Sequence, residues 1–534
     1  MAVDPIVVGV TALYFLITIY IGWWSRQKLK SATDYYVAGR QIGSFVNGLA
    51  LESTYLSPAS MLGLPAYVFI LGYPFWWAMA AIILGMPLAT LLTASALRKY
   101  APTSFADYYA DRYRDEKLRW LIGVIVAFGS ILYITLSIVG MALFLLAILK
   151  INYIYGVIIG TVIVLLYVVW GGMVATSWNA AFQAALMTVA AVIAAIVMIM
   201  KFGGLQGFHE AVLANSPKFF NTASDAEPPH AFVGTWLAIM GWYFTWHFGF
   251  AVMPYTVVRF FTTMDIKTAR RSIFWTALFA GIFYMALQII GAGAKVMIEN
   301  YHPLAAEAGG SALGVLKIIQ QTYQVGSVVD YSMIAAVEAL SNPLVLGILA
   351  AGGLAIAMST AAGWVMVVNT LVTRDLLGMQ LKSTYAQENP VTTARIVSIV
   401  FLIIGMIISF NPPALVLDLS GWAFVALIAS IGPGLILGLW WKRATRTAMW
   451  TTAIIMFFLH LYAWLHAKFN LGHHAWFFLN QVLFGDNKAA WIVTPHQFWA
   501  IPVGFLLFII ISLITSPPDD ETVNKYCVEL TENV

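Results

Sequence analysis

The sequence predicts an all-α integral membrane protein of about thirteen spans, with two inverted repeats between one leading helix and two trailing ones. Three observations predict it. Hydrophobic residues make up 61% of the 534 and charged residues only 10%, with a mean hydropathy of +0.83, whereas a water-soluble domain carries roughly 25% charged residues. The apolar runs are long and continuous, without the alternation of an outer-membrane barrel. Two of them are interrupted in mid-membrane by polar, Pro or Gly residues, five spans apart and in opposite directions. A soluble enzyme and a nucleic-acid binder are thereby excluded for the whole chain, and the net charge of +4 is no sign of a nucleic-acid partner, because its meaning depends on the membrane face that holds it. Cys527 is the single cysteine, so no internal disulfide forms.

A hydrocarbon core about 30 Å thick takes about 20 apolar residues at ~1.5 Å each. Cutting the chain at its charged and Pro/Gly-rich breaks places spans near 6–24, 44–70, 74–97, 120–148, 153–170, 178–200, 234–258, 272–296, 341–372, 394–410, 418–440, 447–466 and 496–515. The first follows Asp4 and lacks a small-residue cleavage site, so it reads as a retained span and not a signal peptide. An outside N-terminus then puts 21 of the 28 Lys and Arg on the cytoplasmic side and seven outside, the positive-inside bias of a cell-membrane protein with a cytoplasmic C-terminus. The layout is a leading helix and loop over 1–43, a first repeat over 44–200, an outer loop over 201–233, a second repeat over 234–440, trailing helices over 441–515 and a disordered tail over 516–534.

The two interrupted spans carry the chemistry. The span 44–70 contains Ser53-Thr54-Tyr55-Leu56-Ser57-Pro58-Ala59-Ser60, and 234–258 contains His247-Phe248-Gly249 and Pro254. Unwound backbone is tolerated at membrane depth only where it lines a cavity or is buried in protein; a simple proline kink is the plainer reading of each. In the ninth span, Ser359 and Thr360 stand together in an otherwise apolar, glycine-rich helix. They are candidate hydroxyl ligands for a sodium ion, or else back-bond to the preceding turn and hold helices together. Glu52 lies deep in an apolar span with no basic residue expected at its depth. It is open to three functional readings, cation ligand, partner to a positive group on the substrate, or proton carrier, and to a structural one, a protonated acid bonded to a neighbouring helix. Trp242-Tyr243-Phe244-Thr245-Trp246-His247, with Tyr255, would wall a small-molecule pocket, although aromatics this abundant mostly pack or face lipid. The group His460, His466, His473 and His474 lacks metalloprotease spacing and reads as interfacial. No phosphate cradle or nucleophile elbow appears, so the chain is read as a non-enzyme whose coupling comes from an ion gradient.

The motifs resemble the sodium:solute symporters, a family that carries sugars, proline, pantothenate, acetate and other monocarboxylates. The likeness rests on Asp34-Tyr35-Tyr36-Val37-Ala38-Gly39-Arg40, Thr54-Tyr55-Leu56-Ser57, and Gly171-Gly172-Met173-Val174-Ala175-Thr176-Ser177-Trp178 with Gln183. It continues through Pro254, Arg259-Phe260, Met358-Ser359-Thr360 and Trp440-Trp441-Lys442-Arg443-Ala444. The resemblance implies a LeuT-type fold and a sodium site made of the hydroxyls of Ser359 and Thr360 with the carbonyls of Ser53, Leu56 and Ile356. It makes Tyr55, Ser57, Trp242, Trp246 and His247 lining candidates, with Glu52 beside them. The chain departs from relatives at Met253-Pro254-Tyr255, where many have Gln-Pro-His, at Trp178-Asn179-Ala180, where many have Trp-Thr-Asp, and at Glu52, usually a small residue. Thr54-Tyr55-Leu56-Ser57 and Asn411-Pro412-Pro413 are nearest to pantothenate and monocarboxylate carriers. The expected function is sodium-coupled import of a small organic carboxylate, with the bilayer, the solute and sodium as partners and no obligate protein partner. Alternatives are proton coupling through Glu52, sugar or amino-acid symport, and a transporter-fold sensor, for which the tail is too short to be an output domain.

Overall fold

The computed structural model describes residues 3–27, 38–220, 236–326, 328–469 and 495–532. Helices occupy every position at which a span is expected, and no strand forms among the described residues. Among the described residues, seven of the helices are long and apolar enough to cross a bilayer, or nine if two bent pairs each count as one span. The expected count of thirteen is not reached among the described residues.

α1 (Pro5–Arg26) is started by Asp4, whose carboxylate accepts from Ile6 N–H, and by Pro5 at the first helical position. The first interrupted span divides into α2 (Ser44–Tyr55) and α3 (Leu64–Leu71), joined by a π-helical turn over Ala59–Gly63 and bent by 63°. Pro58 fits there because Gly140 on α7 (Leu118–Leu149) has no side chain: a Cβ at Gly140 would lie 2.4 Å from Pro58 Cβ. Between them run α4 (Pro74–Ala89), α5 (Ser95–Tyr100) and the short α6 (Asp107–Arg112). α8 (Tyr153–Lys201) covers both the fifth and sixth expected spans, and α9 (Leu205–Asn215) follows it.

The second interrupted span divides into α10 (Trp236–Val252) and α11 (Pro254–Phe261). The break falls at Met253, whose ψ of 126° is the extended conformation that a following proline imposes. His247 and Gly249, expected to share in the break, stay inside α10. α12 (Ile266–Tyr301), α13 (Ala312–Tyr323) and α14 (Ser332–Glu338) lead to α15 (Pro343–Asn369), which Asn342 caps by accepting from Val345 N–H. Then come α16 (Thr384–Glu388), α17 (Pro390–Ser409), the pair α18 (Val416–Ser430) and α19 (Gly432–Trp440), α20 (Arg446–Phe469) and α21 (Pro495–Ile514). The α18–α19 pair, expected as one span over 418–440, is bent by 42° ahead of Pro433, which has no N–H for the helix ladder.

One result differs from expectation at the face expected to be cytoplasmic. The tail, expected to be disordered, forms α22 (Asp520–Val523) and α23 (Glu529–Thr531) around a π-helical turn over Asn524–Val528. It has too little apolar content to fold alone, but it docks: Cys527 and Leu530 are buried, Arg114 pairs with Asp519 and Glu521, and Lys99 donates to the carbonyls of Glu529 and Glu532. Beside it, Asp107 receives Arg119 at 2.6 Å and Arg374 at 2.8 Å. Burial alone would raise the Asp107 carboxyl, yet Arg374, the Ser104 backbone N–H and Arg119 hold it below the usual carboxylate range.

Candidate functional site

Breaking α2 frees backbone acceptors, and the structure shows where they go. The carbonyl of Ser53 would accept from residue 57 in a continuous helix, but the Ser57 N–H faces Ser60 Oγ at 3.4 Å. Ser359 Oγ takes its place, donating to the Ser53 carbonyl at 2.7 Å and lying 3.0 Å from the Ile356 carbonyl. Thr360 Oγ1 donates to the carbonyl of Leu56 at 2.8 Å, with the Ile356 carbonyl at 2.9 Å. Five oxygens from two helices therefore converge in a fully buried volume: three carbonyls and two hydroxyls. All five residues expected from the sequence are in it. α15 comes this close because Gly363 presents no side chain; a Cβ there would lie 2.6 Å from Thr54 Cγ2. Hard, neutral oxygens in this number suit an alkali cation without burying further charge.

A small cavity of about 10 Å³, room for about one water, lies beside the break. Of the expected lining residues, Tyr55, Ser57 and Trp246 border it. The Tyr55 hydroxyl donates to the Trp246 carbonyl at 3.3 Å, so the two interrupted spans meet at the cavity wall. Ser60, Tyr133, Tyr284, Ser420 and Phe424 complete the polar and aromatic lining, and Ser60 and Tyr284 share a hydrogen bond of 3.0 Å. None of the lining residues is basic or acidic.

Three expected residues do not line the cavity. Trp242 lies one helical turn behind Trp246, their ring centroids 4.8 Å apart, and packs on Phe75 and Tyr67. His247 points about 100° round the helix from Trp246 and stacks on Tyr243 at 5.4 Å. Glu52 turns toward α8, where its Oε1 accepts from Thr188 Oγ1 at 2.8 Å. The expectation that no basic group lies near its depth is also corrected. Arg259 on α11 is buried and donates to Thr54 Oγ1 and Ser177 Oγ, each at 2.9 Å, which places a guanidinium against the last turn of α2. Of the histidine group, His460 packs against Trp422 at 5.1 Å, while His473 and His474 and the side chain of His466 lie outside the described residues.

Residues 35–455 match a family model described as Sodium:solute symporter family. Among solved structures, a Na+-coupled sialic acid symporter in a substrate-bound outward-open state is 17% identical, over 97% of this chain and 99% of that chain, with a TM-score of 0.72. A nucleobase-cation-symport-1 family transporter, closed with bromovinylhydantoin bound, is 11% identical over 93% of this chain and 98% of that chain, with a TM-score of 0.49. The first likeness shows the fold, the all-helical LeuT-type arrangement that the family resemblance implies.

Proposed function

The chain belongs to the sodium:solute symporter family, a membrane transporter coupled to sodium, and from that premise we propose that it imports a short-chain monocarboxylate by alternating access. The observation that carries the proposal is the pinning of the α2 break by Ser359 and Thr360 beside a small, hydroxyl-lined cavity. Sodium held by Ser53, Leu56, Ile356, Ser359 and Thr360 would tie the broken helix to α15, and the same break forms the cavity wall. Occupancy of either site then stabilises the other, and the coupling is reciprocal.

The cavity also bears on the solute. Tyr55 and Ser420 donate to the carbonyls of Trp246 and Leu417, so an anion would be met by the hydroxyls of Ser57, Ser60, Tyr133 and Tyr284 turned toward it, and with no basic side chain in the lining, the nearby sodium supplies the positive charge. At about 10 Å³ the cavity has room for about one water, so it must widen to admit any solute, and a solute of a few carbons asks for the least widening. The topology we favour has the N-terminus outside and the C-terminus in the cytoplasm, with inverted repeats over 44–200 and 234–440.

The test is uptake into proteoliposomes of labelled two- to four-carbon monocarboxylates, pantothenate, a sugar and proline, under an imposed sodium gradient or an imposed pH gradient. Sodium-driven uptake of a short monocarboxylate, unchanged in Glu52→Gln, is the expected result. Uptake driven by the pH gradient and lost in Glu52→Gln would instead assign coupling to Glu52, and sodium-driven uptake of only the larger solutes would overturn the substrate class.

A further inference from the structure

The leading helix α1 stands outside both repeats, yet one of its side chains reaches the residue next to the ion site. Tyr14 is buried; its hydroxyl donates to the sulfur of Met358 at 3.2 Å and accepts from Gln183 Nε2 at 2.9 Å. Met358 immediately precedes Ser359 and Thr360. The Tyr14 ring is itself held, stacked on Phe182 at a centroid distance of 6.3 Å and against Phe15 at 5.2 Å. Further along, α1 lies so close to α15 that a Cβ on Gly347 would be 3.1 Å from the Cα of Val7.

The composition of α15 gives this contact its weight. Around the ion site it reads Ala355-Ile356-Ala357-Met358-Ser359-Thr360-Ala361-Ala362-Gly363, so most of its neighbours offer only a methyl group or less to fix its rotation. A helix turns about 100° per residue at a radius near 2.3 Å, so a rotation of about 10° moves a backbone oxygen by a few tenths of an ångström, and a hydroxyl by more. Binding sites need their ligands held to within about 0.5 Å by supporting contacts. Met358 is the long side chain beside the two hydroxyls, and its sulfur is the acceptor of a chain that runs Gln183 to Tyr14 to Met358.

We propose that Tyr14, oriented by Gln183, is a positioning residue for sodium: through Met358 it sets the rotation of the α15 turn that aims Ser359 and Thr360 at the freed carbonyls of α2. This rests on the sodium site proposed above and adds to it a role for a helix that lies outside the two repeats. Removing the hydroxyl leaves the ring packing in place and loosens the turn. Outer partners of metal ligands are worth roughly 10- to 100-fold in affinity, and a single thioether contact belongs at or below the lower end of that range.

The experiment uses the full chain in proteoliposomes, with solute uptake measured against sodium concentration, and sodium-induced thermal stabilisation in detergent as a readout independent of transport. Tyr14→Phe raises half-saturating sodium about three- to tenfold, and the maximal rate and solute half-saturation at saturating sodium stay within about twofold of wild type. Gln183→Leu shifts sodium in the same direction. Tyr14→Phe combined with Met358→Leu shifts it no further than either alone, because both remove the same link. Met358→Leu, nearly isosteric, carries the test by itself should Tyr14→Phe fail to fold. A wild-type sodium curve in these variants overturns the proposal, as does a lower maximal rate with unchanged half-saturation, which is the mark of a purely structural brace. Ser359→Ala separates the two readings: if it moves the sodium curve and Tyr14→Phe does not, only the positioning role fails, and if Ser359→Ala leaves the curve unmoved, the ion site itself fails.

Discussion

The two interrupted spans look alike in sequence and differ in what happens to the backbone they open. At the α2–α3 break, the carbonyls of Ser53 and Leu56 are met by hydroxyls from α15, about 300 positions away in the chain, through Ser359 and Thr360. At the α10–α11 break, Pro254 removes the donor that the Phe250 carbonyl would have had, and Thr256 Oγ1 makes up for it from within the same segment, at 3.1 Å from that carbonyl and 2.7 Å from that of Met253. The second break is closed on itself. The first is completed only by another helix, so a ligand that joins them has something to stabilise. An open backbone at membrane depth becomes a site when its satisfaction is borrowed from elsewhere.

The largest effect should come from removing the borrowed partners. Ser359→Ala with Thr360→Ala takes two of the five oxygens from the ion site and leaves two buried carbonyls unsatisfied, each costing about 1–3 kcal/mol. Half-saturating sodium for uptake should rise by at least about 100-fold, beyond what outer contacts contribute. A sodium titration of uptake in proteoliposomes measures it, and a shift of less than about threefold would place the ion elsewhere and remove the distinction between the breaks.

An intermediate effect, of a different kind, is expected at the self-closed break. Thr256→Ala leaves the buried Phe250 carbonyl without its hydroxyl, while the Met253 carbonyl keeps the N–H groups of Thr256 and Val257, so one unsatisfied acceptor should cost about 1–3 kcal/mol of stability. Half-saturating sodium should stay within about twofold of wild type, because no oxygen of the α15 turn is touched. Thermal unfolding and the sodium curve, measured on one preparation, separate the two quantities. A sodium shift as large as that of the α15 double variant would mean that the second break also belongs to the ion site.

How much of this was legible in the sequence follows the same division. Pro58 within a run of Ser and Thr marked the first break, and Ser359-Thr360 stood out as a polar pair in an apolar helix, because a local change in composition is a local signal. Tyr133, Tyr284, Ser420 and Phe424 were not legible as lining. They sit on three helices far apart in the chain, in runs that are simply apolar and aromatic, and only the packing brings them to one cavity. Trp242 and His247 were assigned to the lining because the aromatic cluster reads as a unit along the sequence, while the helix distributes it around its axis: Trp246 faces the cavity, Trp242 backs it and His247 turns away. Gly432-Pro433 did carry a readable signal for the α18–α19 bend. The docked tail did not, since its order comes from Lys99, Arg114 and the surface it covers.

The smallest expected effect is the most pointed test of the comparison. Pro254→Ala restores an N–H at the position where the Phe250 carbonyl lost one, and it lifts the restriction that holds Met253 extended. Were proline the sole cause of the break, the helix would reclaim that hydrogen bond, α10 and α11 would straighten, and the wall of the cavity at Trp246 would move. Thr256 already supplies the missing donor, however, and Met253, Tyr255 and Phe260 are buried on both sides of the junction, so restoring the N–H gains little that the segment lacks. The stability change should be below about 1 kcal/mol, since the donor gained duplicates one already present, with uptake and its sodium dependence close to wild type. Thermal unfolding and the uptake assay check both. A variant that folds with unchanged stability but no longer transports would show that this break straightens and re-forms during the cycle, and the two interrupted spans would then differ in ligand but not in motion.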